Sequence, residues 1–114
     1  MSVTIYHNPR CSKSRQTLTL LKERNIEPDI IEYLKTPPST EALDRILAML
    51  GIEPEALMRK GDDDYKAHFK GKDLSRQQAI ALMVQFPKVI ERPIVVHGGR
   101  AALGRPPEQV LEIL

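Results

Sequence analysis

Residues 3–33, VTIYHNPRCSKSRQTLTLLKERNIEPDIIEY, decide the fold. Val3 to His7 reads as a short apolar strand. His7-Asn8-Pro9-Arg10 is a bend, and residues 12–24 form a helix. Asn25 lies near the end of that helix, and residues 28–33 (PDIIEY) read as a second strand. Strands joined by a crossover helix run parallel. The chain therefore opens as a β-α-β unit.

Thr36-Pro37-Pro38 is a firm break. Ser39 then caps a helix with Glu41 in its first turn, where a carboxylate favours the dipole. Its apolar face is Leu43, Ile46, Leu47 and Leu50, the spacing of one helical stripe. Gly51 ends it, and Pro54 opens a short helix through Met58. Residues 61–73 are polar, with Asp62, Asp63 and Asp64 at their start, and predict a loop with one helical turn. Ser75 and Gln78 form a capping box. The helix after them is expected to bury Ala79, Leu82, Met83 and Phe86, and Pro87 stops it. Residues 93–96 and 101–104 predict two strands around a Gly98-Gly99 hairpin turn. Pro106 and Pro107 open a last helix, with Val110, Leu111 and Leu114 expected inward. There is no internal repeat. The sum is one α/β domain, residues 1–114, with a mixed four-stranded sheet and helices on both faces. That is a thioredoxin-like layout with a helical insertion between its halves. A flavodoxin-like sheet would need more βα units than the chain has.

Cys11 is the only cysteine. It stands where a strand hands over to a helix, beside Arg10, Lys13 and Arg15. Unpaired N–H groups and the positive end of the dipole face such a position. Helix N-termini and neighbouring cations lower a thiol's pKa, and the thiolate is the reactive form. The site reads as a reactive sulfur rather than a packed one. Cys11 to Ser14 is C-x-x-S, so no dithiol cycle runs inside the chain, and a second sulfur must come from outside. Six residues after Cys11 stands Thr17, which departs from a C-x-x-x-x-x-R phosphatase loop. His7 precedes the loop, and the residues leave it open between tuning the thiolate and a structural or solvated role. Arg59, Arg92 and Arg105 stand at element edges, and such forks match tetrahedral oxyanions if they converge.

Several classes are excluded. The formal net charge of +2 is no argument for nucleic acid or membrane binding, and three tyrosines with two phenylalanines are thin for base stacking. No apolar run is long enough to span a bilayer. His68 and His97 are isolated, and no metal-ligand spacing appears. A lone cysteine and a first stretch unlike an export signal predict a cytoplasmic protein with a reduced thiol.

The chain resembles the glutaredoxin-dependent arsenate reductases of the ArsC type, including their short members. The resemblance spans the whole chain. It rests on Ile5-Tyr6-His7-Asn8-Pro9-Arg10-Cys11 with Ser14-Arg15 and Thr17-Leu18, and on Tyr33-Leu34-Lys35-Thr36-Pro37-Pro38. Leu57-Met58-Arg59-Lys60, Arg92-Pro93-Ile94-Val95-Val96 and Gly104-Arg105-Pro106 complete it. It implies Cys11 as nucleophile with His7 as the catalytic loop histidine. It implies Arg59, Arg92 and Arg105 as oxyanion-binding arginines around the helix that bears Cys11, with Ser14 and Arg15 supporting. Pro93 is expected to follow a cis peptide bond. The implied reaction reduces arsenate to arsenite, with glutathione as co-substrate, glutaredoxin as partner, and no bound cofactor or metal. Two departures stand out: longer members extend further after the last helix, and the residues after Cys11 are Ser-Lys-Ser rather than glycine-containing. Two other readings share these residues. One is an Spx-like, non-enzymatic transcription regulator that binds RNA polymerase. The other is a glutathione-linked oxidoreductase acting on protein disulfides.

Overall fold

A computed structural model describes residues 2–114. The chain forms two compact units, Met1–Thr36 with Arg92–Leu114, and Pro37–Glu91. The break read at Thr36-Pro37-Pro38 falls on the boundary between them.

The first unit holds strands β1 (Val3–His7), β2 (Asp29–Glu32), β3 (Ile94–His97) and β4 (Arg100–Leu103). Their order is β2-β1-β3-β4. β1 pairs parallel with β2 and antiparallel with β3, and β3 pairs antiparallel with β4. The sheet is mixed and four-stranded, and the fold is thioredoxin-like. Gly98 at φ 63° supplies the left-handed conformation that the β3–β4 turn needs. Helix α1 (Ser12–Glu23) crosses from β1 to β2. It closes with Asn25 at φ 62°. There Asn25 N–H donates to Lys22 O at 3.0 Å and Ile26 N–H to Leu21 O at 3.0 Å, a Schellman ending.

The core of this unit is Val3, Ile5, Leu21, Val95, Val110 and Ile113, with Leu18 and Ile26 packed against it. Val3, Ile5 and Val95 share one sheet face, because alternate residues of a strand point the same way. α1 and the final helix both cover that face. The final helix, Pro107–Ile113, is 3-10 rather than α. It buries Pro107, Val110 and Ile113, whereas the expectation was Val110, Leu111 and Leu114. At three residues per turn, positions 107, 110 and 113 eclipse one another, so the inward stripe moves off Leu111 and Leu114.

The second unit is the insertion. It contains α2 (Thr40–Leu50), α3 (Asp63–His68) and α4 (Arg76–Gln85), with short 3-10 turns at Pro54–Leu57 and Pro87–Val89. Ser39 caps α2 by accepting from Ala42 N–H, and Gly51 at φ 69° ends it. α2 buries Leu43, Ile46 and Leu47. α4 buries Ala79, Ile80 and Met83, so Ile80 takes the inward place that Leu82 and Phe86 were expected to share. Residues 79–84 (AIALMV) are apolar all round, and periodicity cannot choose a face there. The Ser75–Gln78 capping box is closed in both directions. Ser75→Ala should cost about 1 kcal/mol in a urea titration monitored by circular dichroism. An unchanged midpoint would mean the box contributes nothing.

Candidate active site

The loop between β1 and α1 is held by its own polar groups. Cys11 N–H donates to Asn8 O at 3.0 Å. Arg10 N–H donates to Asn8 Oδ1 at 3.0 Å, the local bond that suits asparagine to turns. Arg15 Nη1 donates to Pro9 O at 2.9 Å from the exposed side. Beneath the loop, Ser14 Oγ accepts from Asn8 N–H at 3.0 Å and pairs with His7 Nδ1 at 2.7 Å. His7, Asn8 and Ser14 are all buried. Buried polar groups need partners, and these three satisfy one another.

Cys11 is the N-cap residue of α1, with φ −93° and ψ 124°. The residue is half-buried, and its thiol is free. No acidic residue stands in the first turn, so nothing there opposes a negative sulfur. The thiol's pKa is lowered to about 7. Burial is the largest influence and pushes the other way. It is outweighed by the Arg92 guanidinium, which donates to the sulfur and adds its charge, and by the Ser14 and Lys13 amides. Those amides face the sulfur without closing a full capping bond. Arg105 Nη1 lies 4.0 Å from Sγ, the long end of an N–H···S contact. Arg105 Nη1 also donates to Arg92 O at 2.9 Å, which ties the two arginines together. Iodoacetamide alkylation should therefore inflect near pH 7. An inflection near the free-thiol value of about 8.5 would contradict an activated sulfur.

The first unit thus brings Cys11, Arg92 and Arg105 together. His7 bonds Ser14, and burial holds its pKa down, opposed by Glu32 and assisted by Arg15 and Lys22. Arg59 belongs to the second unit. Its N–H donates to Val89 O at 2.7 Å, beside the Met58–Ile90 bridge. Its guanidinium pairs with Asp62 and Glu91, each at 3.8 Å. The Arg92–Pro93 and Arg105–Pro106 peptides are both cis. His68 stacks on Phe86 with centroids 3.9 Å apart. His97 Nδ1 meets Ile113 O at 2.6 Å; a carbonyl only accepts, so Nδ1 carries the proton. Among the described residues, no three His, Cys, Asp or Glu side chains could hold a metal ion. Among them, too, no helix is long and apolar enough to cross a membrane.

Sequence reasoning quoted Asn8, Thr17 and Gly104 within motifs but gave them no role at the site. Asn8-Pro9 carries a turn signal that could have marked Asn8. Thr17 and Gly104 are brought together only by the fold.

A thioredoxin-like sheet here carries one acidic thiol at a helix start, flanked by two arginines. The ArsC family model matches residues 6–113, and the chain belongs to that family. It is 47% identical over 116 residues to a Haemophilus influenzae protein named arsenate reductase, covering all of both chains. It is 52% identical to the uncharacterised protein YfgD of Escherichia coli K12, over 98% of this chain and 96% of that one. Among solved structures, the arsenate reductase from Vibrio cholerae superposes with a TM-score of 0.95 at 54% identity, covering 100% of this chain and 98% of that one.

Proposed function

We propose that this chain is an arsenate reductase that uses glutathione and glutaredoxin as reductants. The observation that carries the reading is the acidic Cys11 sulfur held beside Arg92 and Arg105 in an ArsC-family chain. Arsenate mimics phosphate, so charge and shape alone do not separate them. A thiolate does, because As(V) accepts a sulfur nucleophile and can then be reduced.

In the proposed cycle the arginines bind the oxyanion and the Cys11 thiolate attacks arsenic. An As–O bond breaks, and its oxygen leaves as water after taking up protons. The arginines stabilise the charge that builds on the departing oxygen. Glutathione thiolate then attacks the Cys11 sulfur. The S–As bonding pair passes to arsenic, which becomes As(III) and leaves as arsenite, and a Cys11–glutathione disulfide remains. Glutaredoxin takes the glutathione and frees the Cys11 thiolate. Following the family resemblance, Arg59 is assigned as the third oxyanion-binding arginine. His7 and Ser14 position the loop, and Arg15 props it from outside.

The regulator reading fits less well. A redox switch of the C-x-x-C kind would need a second thiol facing Cys11. At that position stands Ser14, whose hydroxyl is turned away to His7 and Asn8. The direct test is arsenate-dependent NADPH oxidation with glutathione, glutathione reductase and glutaredoxin. Turnover is expected. Its absence, together with turnover of glutathionylated protein substrates or capture by RNA polymerase, would move the chain to one of the rivals.

A further inference from the structure

We infer that Gly104 is a positioning residue: its missing side chain is the joint that seats Arg92 and Arg105 against the first turn of α1. This rests on the proposed oxyanion site but not on the identity of the oxyanion.

Gly104 is buried, at the end of β4 and directly before Arg105. A β-carbon built there would lie 2.7 Å from Pro93 Cγ and 3.3 Å from Pro93 Cδ, and still closer to Thr17 Oγ1. Side-chain carbons do not approach that near, and neither neighbour yields freely. The Pro93 ring is rigid, and both Pro93 and Thr17 are buried. Thr17 Oγ1 donates to Lys13 O at 2.8 Å. Thr17 is therefore fastened to the turn whose Lys13 and Ser14 amides face the sulfur.

Two further bonds cross the joint in the same direction. Gly104 N–H donates to Pro93 O at 3.0 Å. Arg105 Nη1 donates to Arg92 O at 2.9 Å. The dipeptides Arg92-Pro93 and Gly104-Arg105 thus move as one piece, and Thr17 sets how closely that piece approaches α1. Gly104 does not adopt a positive φ, so close approach, and not backbone conformation, demands glycine. A methyl group here must push the arginine pair off the helix. The first casualty is the Arg92 guanidinium on the sulfur.

The experiment compares wild type, Gly104→Ala and Thr17→Ala in three readouts: thermal melting, iodoacetamide alkylation against pH, and protection of Cys11 from alkylation by inorganic phosphate as the oxyanion probe. Gly104→Ala should move the alkylation inflection upward from near pH 7 and weaken phosphate protection at least about tenfold. Thr17→Ala adds no atoms and should fold. It should shift the inflection the same way by a smaller amount, because the tether to Lys13 is lost. A Gly104→Ala protein that melts earlier but keeps the wild-type inflection and protection would overturn the inference. Should Gly104→Ala fail to fold, an unchanged inflection in Thr17→Ala would overturn it equally. None of these readouts needs arsenate turnover. Failure of the arsenate assay and failure of the joint are therefore separate results.

Discussion

Replacing Cys11 by serine should abolish arsenate-dependent NADPH oxidation, a loss on the order of 10³-fold or more. Three requirements fall on this one atom. The nucleophile must be anionic near neutral pH, and only sulfur, with its pKa drawn to about 7, meets that. The nucleophile must bond to arsenic and then release it with the bonding pair. It must end as half of a disulfide, which oxygen cannot form. The chain supplies no other sulfur of this kind, since Cys11 is its only cysteine. The fold should survive the change, because serine is a preferred N-cap residue and its oxygen can accept from the first-turn amides. Stability carries a second signature. The folded thiol pKa lies below the unfolded one, so Cys11 contributes stability that is fully present above about pH 8.5 and is lost as pH falls through about 7. Wild type should gain melting temperature between pH 6.5 and 9 from this group, and Cys11→Ser should lack that gain. Arsenate turnover retained by the serine variant would end the reductase reading. Identical pH–melting curves would show that Cys11 is not ionised preferentially in the folded state.

What the sequence made legible follows from how local each signal was. The β-α-β opening, the Ser39 and Ser75 caps, the Gly51 stop and the Gly98-Gly99 hairpin are each written in a few adjacent residues, and each stands where it was read. Faces were harder. Residues 79–84 offered two apolar stripes of equal quality, and only packing selected Ile80. In the last segment, two prolines announced a helix but not its pitch, and the 3-10 winding exchanged Leu111 and Leu114 for Pro107 and Ile113. At the site, an activated Cys11 was readable because a strand end and a helix start are contiguous, and first-turn amides do lower its pKa, but the cation named with them is the distant Arg92 rather than a sequence neighbour. The partnership of Arg92 with the sulfur depends on pairing between β1 and β3. No spacing rule encodes that, and a family resemblance had to suggest it. His7 and Ser14 show the limit most clearly. Both were singled out, but their mutual bond crosses a loop whose path is fixed only once the fold is formed.

That bond carries the second large effect. Ser14→Ala should destabilise the protein by roughly 2–6 kcal/mol, because two buried partners lose their hydrogen bond at about 1–3 kcal/mol each. Ser14 is 0% exposed, and its hydroxyl serves both His7 Nδ1 and Asn8 N–H. Water has no open route to replace it. Against a total stability of about 5–15 kcal/mol, the loss would be plain in a denaturant titration. The damage should also reach the sulfur. Asn8 accepts from the Cys11 and Arg10 amides, so a loosened Asn8 lets the thiol drift from Arg92, and the alkylation inflection should rise. A double-mutant cycle separates the two parts. Pairing Ser14→Ala with His7→Phe removes both sides of one bond, so the combined loss should fall short of the sum by about 1 kcal/mol or more. His7 supplies the pH test. Burial lowers its pKa, so its contribution is held above about pH 6.5 and lost as pH falls through the lowered folded value. Wild type should therefore weaken on acidification below that point, and His7→Phe should weaken less. Additive losses in the cycle, with equal acid sensitivity in both proteins, would show that the loop is held by something other than this buried pair.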